Sequence, residues 1–355
     1  MGTGEADSWR AVVDVPALTA WLSARGIGDT IEDLRPLSGG TQNVVLRLRI
    51  GGRRLVLRRP PVHPRPESNR TMSREIAVLR ALTDHDVPHP ALVAAEENPA
   101  VLGSVFYVME EVAGFNPGDS VSSDYRANEG LRHEGALSVA RALARLSRVD
   151  PAGTAMAPLQ RPGSFLARQV PQWTAVLAGY EQLAGYRPGD LPAVEPIAAW
   201  LEDHRPPDAE PGILHGDFHL NNVLLHDSLA EVTAIVDWEM ATVGDPLLDL
   251  GWLLVTWPVA PAPPITGAAL AAVGDLPTRG QLLDAYSAAG GRETDSIDWY
   301  ATLAAFKLGI VLEGTWARAQ AGLAPMDVGR RLHTAAASLL DLADAIRQGA
   351  RSASD

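Results

Sequence analysis

The sequence has no cysteine among its 355 residues. Disulfides, Fe–S clusters and a cysteine nucleophile are thereby excluded, so any chemistry must come from other groups. Long apolar runs are missing too. No stretch reaches the roughly 18 residues that a membrane-spanning helix needs, and no membrane partner is expected. The N-terminal "MGTGEADSWRAVVDV" lacks the basic start and apolar run of a secretory signal, which leaves the expectation of a soluble cytoplasmic protein. Positive charge is in the minority. A formal net charge of −13 repels polyanions and argues against a nucleic-acid partner.

With 46% hydrophobic residues, the chain can bury a sizeable core, and its length suggests two lobes. The acidic excess is uneven. Between Arg47 and Arg74 stand nine arginines and one acid, Glu67, a pattern that fits either a local anion site or a solvated basic face.

Periodicity divides the chain near residues 110–116. Before that point, "PALTAWLSARG" (16–26) has helical spacing ending at a glycine. "QNVVLRLRI" (42–50) and "RRLVLRR" (53–59) are strands split by Gly51-Gly52, a hairpin signal, and "GSVFYVMEEV" (103–112) is another strand. Between them, residues 67–86 place Met72, Ile76, Leu79 and Leu82 at helical spacing. Beyond Gly114 helices dominate: 133–150, 164–183 with Pro171 as a kink or break, 245–257, and two long segments between Ser296 and Arg347. Short strands are expected around Ile213-Leu214, at Val223 to Leu225 and over "VTAIVDW" (232–238), and a Pro/Ala/Gly-rich loop over 258–279. The fold class expected is α+β, with a sheet-rich lobe over 1–112 and a larger, mainly helical lobe over 113–355.

The stretch "LHGDFHLNNVLLHD" (214–227) concentrates polar residues between two apolar runs. Phosphoryl transfer needs a carboxylate beside the acceptor hydroxyl and two oxygen ligands that hold Mg²⁺ against the nucleotide phosphates. Asp217 and Asn222 are spaced for the first two of these, and Asp237 closes the next apolar strand. Two rivals stand beside this reading. His215, Asp217 and His219 alternate as metal ligands on one side of a strand would, which would suggest a metallohydrolase. A catalytically silent kinase-like binding module is the other.

"HGDFHLNN" resembles the H-x-D-x-x-x-x-N motif of the aminoglycoside phosphotransferase and choline kinase group, whose fold is protein-kinase-like. "IVDWEMATVGDPLLDLGWL" is similar to the segment that follows it in that group. The resemblance runs from about Leu37 to the last helices. It is nearest to the kinase-like domains fused to acyl-CoA dehydrogenases, which share "VLRRPP" and helices like "FKLGIVLEGTWARAQAG".

This resemblance implies a Mg²⁺-dependent, ATP- or GTP-dependent transfer to a small-molecule hydroxyl acceptor, a hydroxyacyl compound or an aminoglycoside-like antibiotic. By position, Asp217 would orient the acceptor hydroxyl, His215 would brace the catalytic loop, and Asn222 and Asp237 would bind Mg²⁺. Ser38 and Gly40, in the stretch from Ser38 to Asn43, would offer backbone N–H groups to phosphate. Arg58 stands where the group usually has a lysine, a departure that puts the phosphate geometry in question, and Glu75 would pair with it. The carbonyl of Glu110 and the N–H of Val112 would face adenine. Asp245 and Asp249 are read as charging or capping the first turn of a helix. Trp299, Tyr300, Phe306 and Trp316 are read as core, with an acceptor pocket as the alternative. Oligomeric state is not encoded in any of these features.

Overall fold

The structure is a computed structural model and describes residues 8–37, 43–187, 191–259 and 265–355. The first lobe comprises α1 (Val15–Ser23), β1 (Ile31–Pro36), β2 (Val44–Ile50), β3 (Arg53–Arg59), α2 (Ser68–Leu82), β4 (Leu92–Glu96) and β5 (Phe106–Glu110). The five strands form one antiparallel sheet in the order β1-β2-β3-β5-β4. Gly51 and Gly52 both take positive φ, 57° and 77°, as a two-residue turn between right-twisted strands requires.

Side chains alternate across the sheet, and the two faces do different work. Leu55 and Leu57 of β3 and Phe106 and Val108 of β5 pack with Leu18, Trp21 and Leu22 of α1 in one apolar cluster. Asp14 starts that helix by accepting the Ala17 N–H at 3.0 Å. Arg58 and Tyr107 lie opposite one another in the β3/β5 register and share the other face, where α2 lies. Met72, Ile76 and Leu79 of α2 join the larger core, which continues into the second lobe.

That lobe follows with α3 (Ser123–Ala127), α4 (Glu129–Ser147), α5 (Gln169–Gly179), α6 (Val194–Asp203), β6 (Gly212–Leu214), β7 (Val223–Leu225), β8 (Val232–Ile235), β9 (Thr242–Gly244), α7 (Leu247–Thr256), α8 (Ala268–Ala271), α9 (Arg279–Ala288), α10 (Ile297–Gln320) and α11 (Met326–Arg347). Strand β6 pairs with β9 and β7 with β8, each antiparallel. These two ribbons bring the loop 215–222 beside the segment 236–241. Helix α7 is buried along its whole length. Each of its fully buried leucines contributes roughly 1.5–3 kcal/mol, which anchors the helix despite the buried acid it carries. Gly251 permits its close contact with α10, because a Cβ there would meet the Tyr300 carbonyl oxygen at 2.6 Å. No helix among the described residues is long and apolar enough to cross a membrane.

Three local expectations need correction. Pro171 does not kink a helix; it falls in the first turn of α5, where its missing N–H breaks no intrahelical bond. The strand expected over 232–238 stops at Ile235, since Asp237 leaves the extended region with φ 66°. Within the 258–279 stretch, residues 268–271 form a short helix.

Candidate active site

The loop after β6 is held from below by one buried carboxylate. Asp249 on α7 accepts the His215 N–H at 2.6 Å and the Gly216 N–H at 2.9 Å. Its place in the first turn of α7 agrees with the sequence reading, but its side chain serves the loop rather than the helix end. Asp245, by contrast, accepts the Leu247 N–H at 3.1 Å in the way of a cap, and also the Tyr300 hydroxyl at 2.5 Å. Gly216 has φ +84°, and a Cβ there would lie 2.4 Å from the Met240 carbonyl oxygen. Only glycine fits this turn.

His215 is fully buried and both of its ring nitrogens serve the backbone. Nε2 donates to the Val236 carbonyl at 2.8 Å, and Nδ1 accepts the Asp217 N–H at 3.3 Å. It therefore braces the loop against the β8 end. A metal-ligand role for it is ruled out by this geometry, and among the described residues no three His, Asp or Glu side chains cluster to hold a metal. The metallohydrolase reading fails on this point.

The Asp217 carboxylate receives three donors. Trp252 Nε1 reaches Oδ1 at 3.0 Å, His219 Nε2 reaches the same oxygen at 3.2 Å, and Asn222 Nδ2 reaches Oδ2 at 3.2 Å. His219 Nδ1 accepts the Asn221 N–H, which leaves the Nε2 proton for Asp217. Burial by itself would raise the carboxyl's pKa, yet the His219 hydrogen bond and nearby positive groups, Lys307 among them, bring it down to about 2. The side chain remains 37% exposed, so it is ionised and reachable at neutral pH.

Asn222 spends its amide nitrogen on the Asp217 carbonyl at 2.9 Å as well as on the carboxylate. Val236 donates to the Asn222 carbonyl at 2.9 Å, which ties the starts and ends of β7 and β8 together and sets Asn222 near Asp237. Asp237 holds a left-handed backbone, the kind of local strain that collects at functional sites. The Asn222 Oδ1 and Asp237 Oδ2 atoms have no hydrogen-bond partner among the described residues. Beside them, Glu239 has its carboxyl raised by burial and then by the negative charge of Asp237. Hard oxygen donors whose negative charges disfavour one another suit Mg²⁺, and these residues fit it.

Arg58 bridges the lobes. Its Nε pairs with Glu75 Oε2 at 2.8 Å, and its Nη2 donates to Asp237 Oδ1 at 2.5 Å. Glu75 on α2 is fully buried and also accepts the Tyr107 hydroxyl at 2.6 Å. Burial pushes the Glu75 carboxyl up to about 7, against the opposing pull of Arg58 and Tyr107. Burial alone would lower the Arg58 guanidinium, but Glu75 and Asp237 outweigh it and hold the group further into its charged form. The planar fork that lets arginine join two carboxylates is what a lysine here would lack.

Glu110 ends β5 opposite Leu55, with its side chain on Arg53 at 2.5 Å, and Val112 follows, half-buried, in the connection between lobes. Ser38 and Gly40 lie outside the described residues. Asn43, at the edge of that stretch, hydrogen-bonds Glu239 through its side chain. Trp299, Tyr300 and Phe306 are buried core residues, with Trp299 donating to the Leu201 carbonyl, and Trp316 stacks on His333. Two residues near Asp217 escaped the sequence reading. Trp252 follows Asp249 by three positions on one helix face, a spacing that could have exposed it. Lys307 is the only lysine in the chain.

The profile of the phosphotransferase enzyme family matches residues 33–288. Mouse (Mus musculus) acyl-CoA dehydrogenase family member 10 is 27% identical over 317 residues, 88% of this chain but 29% of that protein. The chain likewise spans 41% of human (Homo sapiens) acyl-CoA dehydrogenase family member 11, at 28% identity over 89% of its own length. It thus covers well under half of the curated relatives it matches. Among solved structures, a Ralstonia eutropha JMP134 protein classed provisionally as an aminoglycoside phosphotransferase superposes with a TM-score of 0.75 and 26% identity, covering 93% of this chain and 98% of that one. A thermostable mutant of aminoglycoside phosphotransferase APH(4)-Ia, in ternary complex with ADP and hygromycin B, shares the fold at a TM-score of 0.58 and 16% identity over 94% of this chain and 98% of that one. With its protein-kinase-like two-lobed fold, the chain belongs to the phosphotransferase enzyme family.

Proposed function

We propose that the chain transfers the γ-phosphoryl group of ATP or GTP, as its Mg²⁺ complex, to a hydroxyl of a small molecule. One observation carries this: the β6/β9 and β7/β8 ribbons gather Asp217, Asn222 and Asp237 from two chain segments against the Arg58–Glu75 pair. Mg²⁺ held by Asn222 and Asp237 would supply charge neutralisation at the phosphates. Arg58 would turn its fork towards phosphate oxygens while Glu75 keeps its guanidinium in place. The Glu110 carbonyl and Val112 N–H, in the connection, are suited to an adenine edge.

Asp217 works as an orienting group more than as a strong base. A carboxylate held at about 2 accepts a hydrogen bond from the acceptor O–H but takes the proton only as the new O–P bond forms. That bond replaces the one between the γ-phosphorus and the bridging oxygen, so the nucleoside diphosphate leaves with the bridging oxygen. Acceptor candidates are a hydroxyacyl compound and an aminoglycoside-like antibiotic.

Calorimetry with ATP and GTP plus Mg²⁺, followed by a screen of hydroxyl acceptors for ADP or GDP release, tests the reading. Binding heat with at least one nucleotide and acceptor-dependent release are expected. No heat and no thermal shift with either nucleotide would overturn it, and binding without turnover on any acceptor would point to a silent module.

A further inference from the structure

Lys307 stands alone in a chain that otherwise uses arginine for its 30 Lys and Arg positions. It projects from α10 and is 7% exposed. Its Nζ lies 4.6 Å from the ring centroid of Trp252 and 5.4 Å from that of Trp173, and it donates to the Gly216 carbonyl at 3.3 Å. No carboxylate among the described residues forms an ion pair with it. The two acids near enough to act on it electrostatically are Asp249, committed to two backbone N–H groups, and Asp217, committed to three donors. A buried ammonium held by two indoles and one carbonyl keeps donor capacity to spare.

Lys307 faces a cleft of about 180 Å³ that opens beside Gly216, one residue from Asp217. Arg161 and Arg168 also line it, with Gln169 and Gln172 as further polar groups and Trp173 and Met240 as apolar surface. Among the described residues, neither Asp nor Glu lines it. Inside a protein whose net charge is −13, this is a locally cationic pocket. A polycationic acceptor placed there would meet like charges with no carboxylate among the lining residues to offset them, whereas an acid would meet the buried Lys307 ammonium beside the half-buried Arg168 and the exposed Arg161. Trp252 couples the two halves of the arrangement, since one edge of its indole donates to Asp217 and its face carries the Lys307 ammonium.

We propose that this cleft is the acceptor site and that Lys307 is its anion anchor, so that the acceptor carries a carboxylate or phosphate within a short chain of the hydroxyl that Asp217 orients. The inference rests on the phosphotransferase reading above and narrows its acceptor to acidic hydroxy compounds. Lysine suits the position because its compact ammonium fits between two rings, where a guanidinium fork would need more in-plane partners. The apolar walls favour a small acceptor with little polar surface besides its acid and its hydroxyl.

Because the chain has one lysine, reductive methylation with ¹³C-formaldehyde labels Lys307 and the N-terminal amine alone, and the two dimethylamine NMR signals are separable. Titration with four small probes of similar size decides the matter: glycerate, glycerol 3-phosphate, glycerol, and 2-amino-1,3-propanediol. The Lys307 signal is expected to move with glycerate, glycerol 3-phosphate or both, which also tells a carboxylate from a phosphate preference, and to stay fixed with the neutral and cationic probes. Lys307→Met, which keeps the stem between the indoles, should weaken the effective anion about ten-fold or more, as judged by competition in the ADP-release assay. Its heat of Mg²⁺-nucleotide binding should change by no more than a few-fold. A Lys307 signal indifferent to both anions, or equally responsive to glycerol and the amine, overturns the anchor while normal nucleotide heats leave the phosphotransferase reading standing. Loss of nucleotide heat in the unmodified protein would instead be the failure of that reading.

Discussion

Asp249 accepts the backbone N–H groups of both His215 and Gly216, and so a carboxylate on α7 fixes the path of the loop that presents Asp217. One buried and one half-buried donor share this acid, which is 1% exposed. Asp249→Ala should leave both N–H groups unsatisfied, each costing about 1–3 kcal/mol, and should lower the melting temperature as well as kcat. Asp249→Asn is the sharper variant. Its amide can offer oxygen to one N–H only and must turn an NH₂ towards the other, so kcat should still fall by about ten-fold or more. Circular-dichroism melting and steady-state kinetics on one acceptor check both; wild-type turnover in Asp249→Asn would show that the loop needs no such brace.

Asp217 and Asp237 should separate kinetically. Removing the orienting carboxylate acts on the transition state, so Asp217→Asn is expected to lose roughly 10²-fold or more in kcat while nucleotide affinity changes only a few-fold. Asp237→Ala deletes the oxygen proposed to hold Mg²⁺ and a partner of Arg58, and should weaken Mg²⁺-nucleotide binding itself. Nucleotide titrations beside acceptor kinetics distinguish them, and equal losses in both parameters for both variants would contradict the assignment of roles.

Much of this arrangement was legible along the chain, and what was legible was local. The spacing of Asp217, Asn222 and Asp237 is fixed by a loop and a short ribbon, whereas Arg58 and Glu75 were placed by the resemblance to the family. Asp249 was visible as a residue but not as a brace. A helix-start acid has an adequate local explanation, and only the packing of α7 beneath β6 turns its side chain to the loop. Lys307 lies 90 positions beyond Asp217, and its proximity depends on α10 crossing α7 at Gly251, a contact with no periodic signature. The aromatic residues Trp299, Tyr300 and Phe306, read as core from their helical spacing, are core, while Trp173, which lines the cleft, carried no local signal.

Arg58 in the place of the usual lysine invites two substitutions. Above about pH 7, where Glu75 is ionised, Arg58→Met would strand the buried carboxylate, a loss on the scale of about 3–5 kcal/mol for a broken buried pair, and should yield a poorly stable protein. Arg58→Lys keeps the charge but cannot hold Glu75 and Asp237 with one ammonium as the fork does. We expect it to fold with a modestly lower melting temperature and to retain Mg²⁺-nucleotide binding. Differential scanning fluorimetry with and without nucleotide measures both effects. An Arg58→Met protein as stable as the wild type would mean that Glu75 is neutral in the fold at the working pH.

That protonation state has its own test. Glu75 titrates at about 7 in the folded protein against an ordinary 4.5, because burial disfavours its charge more than Arg58 and Tyr107 favour it. A raised folded-state pKa means that the fold binds the proton more tightly than the unfolded chain does. The contribution to stability is therefore full below about pH 4.5 and is lost as pH rises through about 7, at up to 1.4 kcal/mol per pH unit, or on the order of 3 kcal/mol across the window. Asp217, held at about 2, adds nothing in that interval because it is ionised in both states. Metal-free protein should accordingly lose stability between pH 5 and about 7.5, and Glu75→Gln, which stays neutral and keeps an acceptor for the Tyr107 hydroxyl, should flatten the profile. Urea denaturation in EDTA across that range gives the comparison. Parallel curves for the two proteins would show that Arg58 keeps Glu75 ionised throughout, and that the Arg58–Glu75 pair is a standing ion pair at every pH where the protein folds.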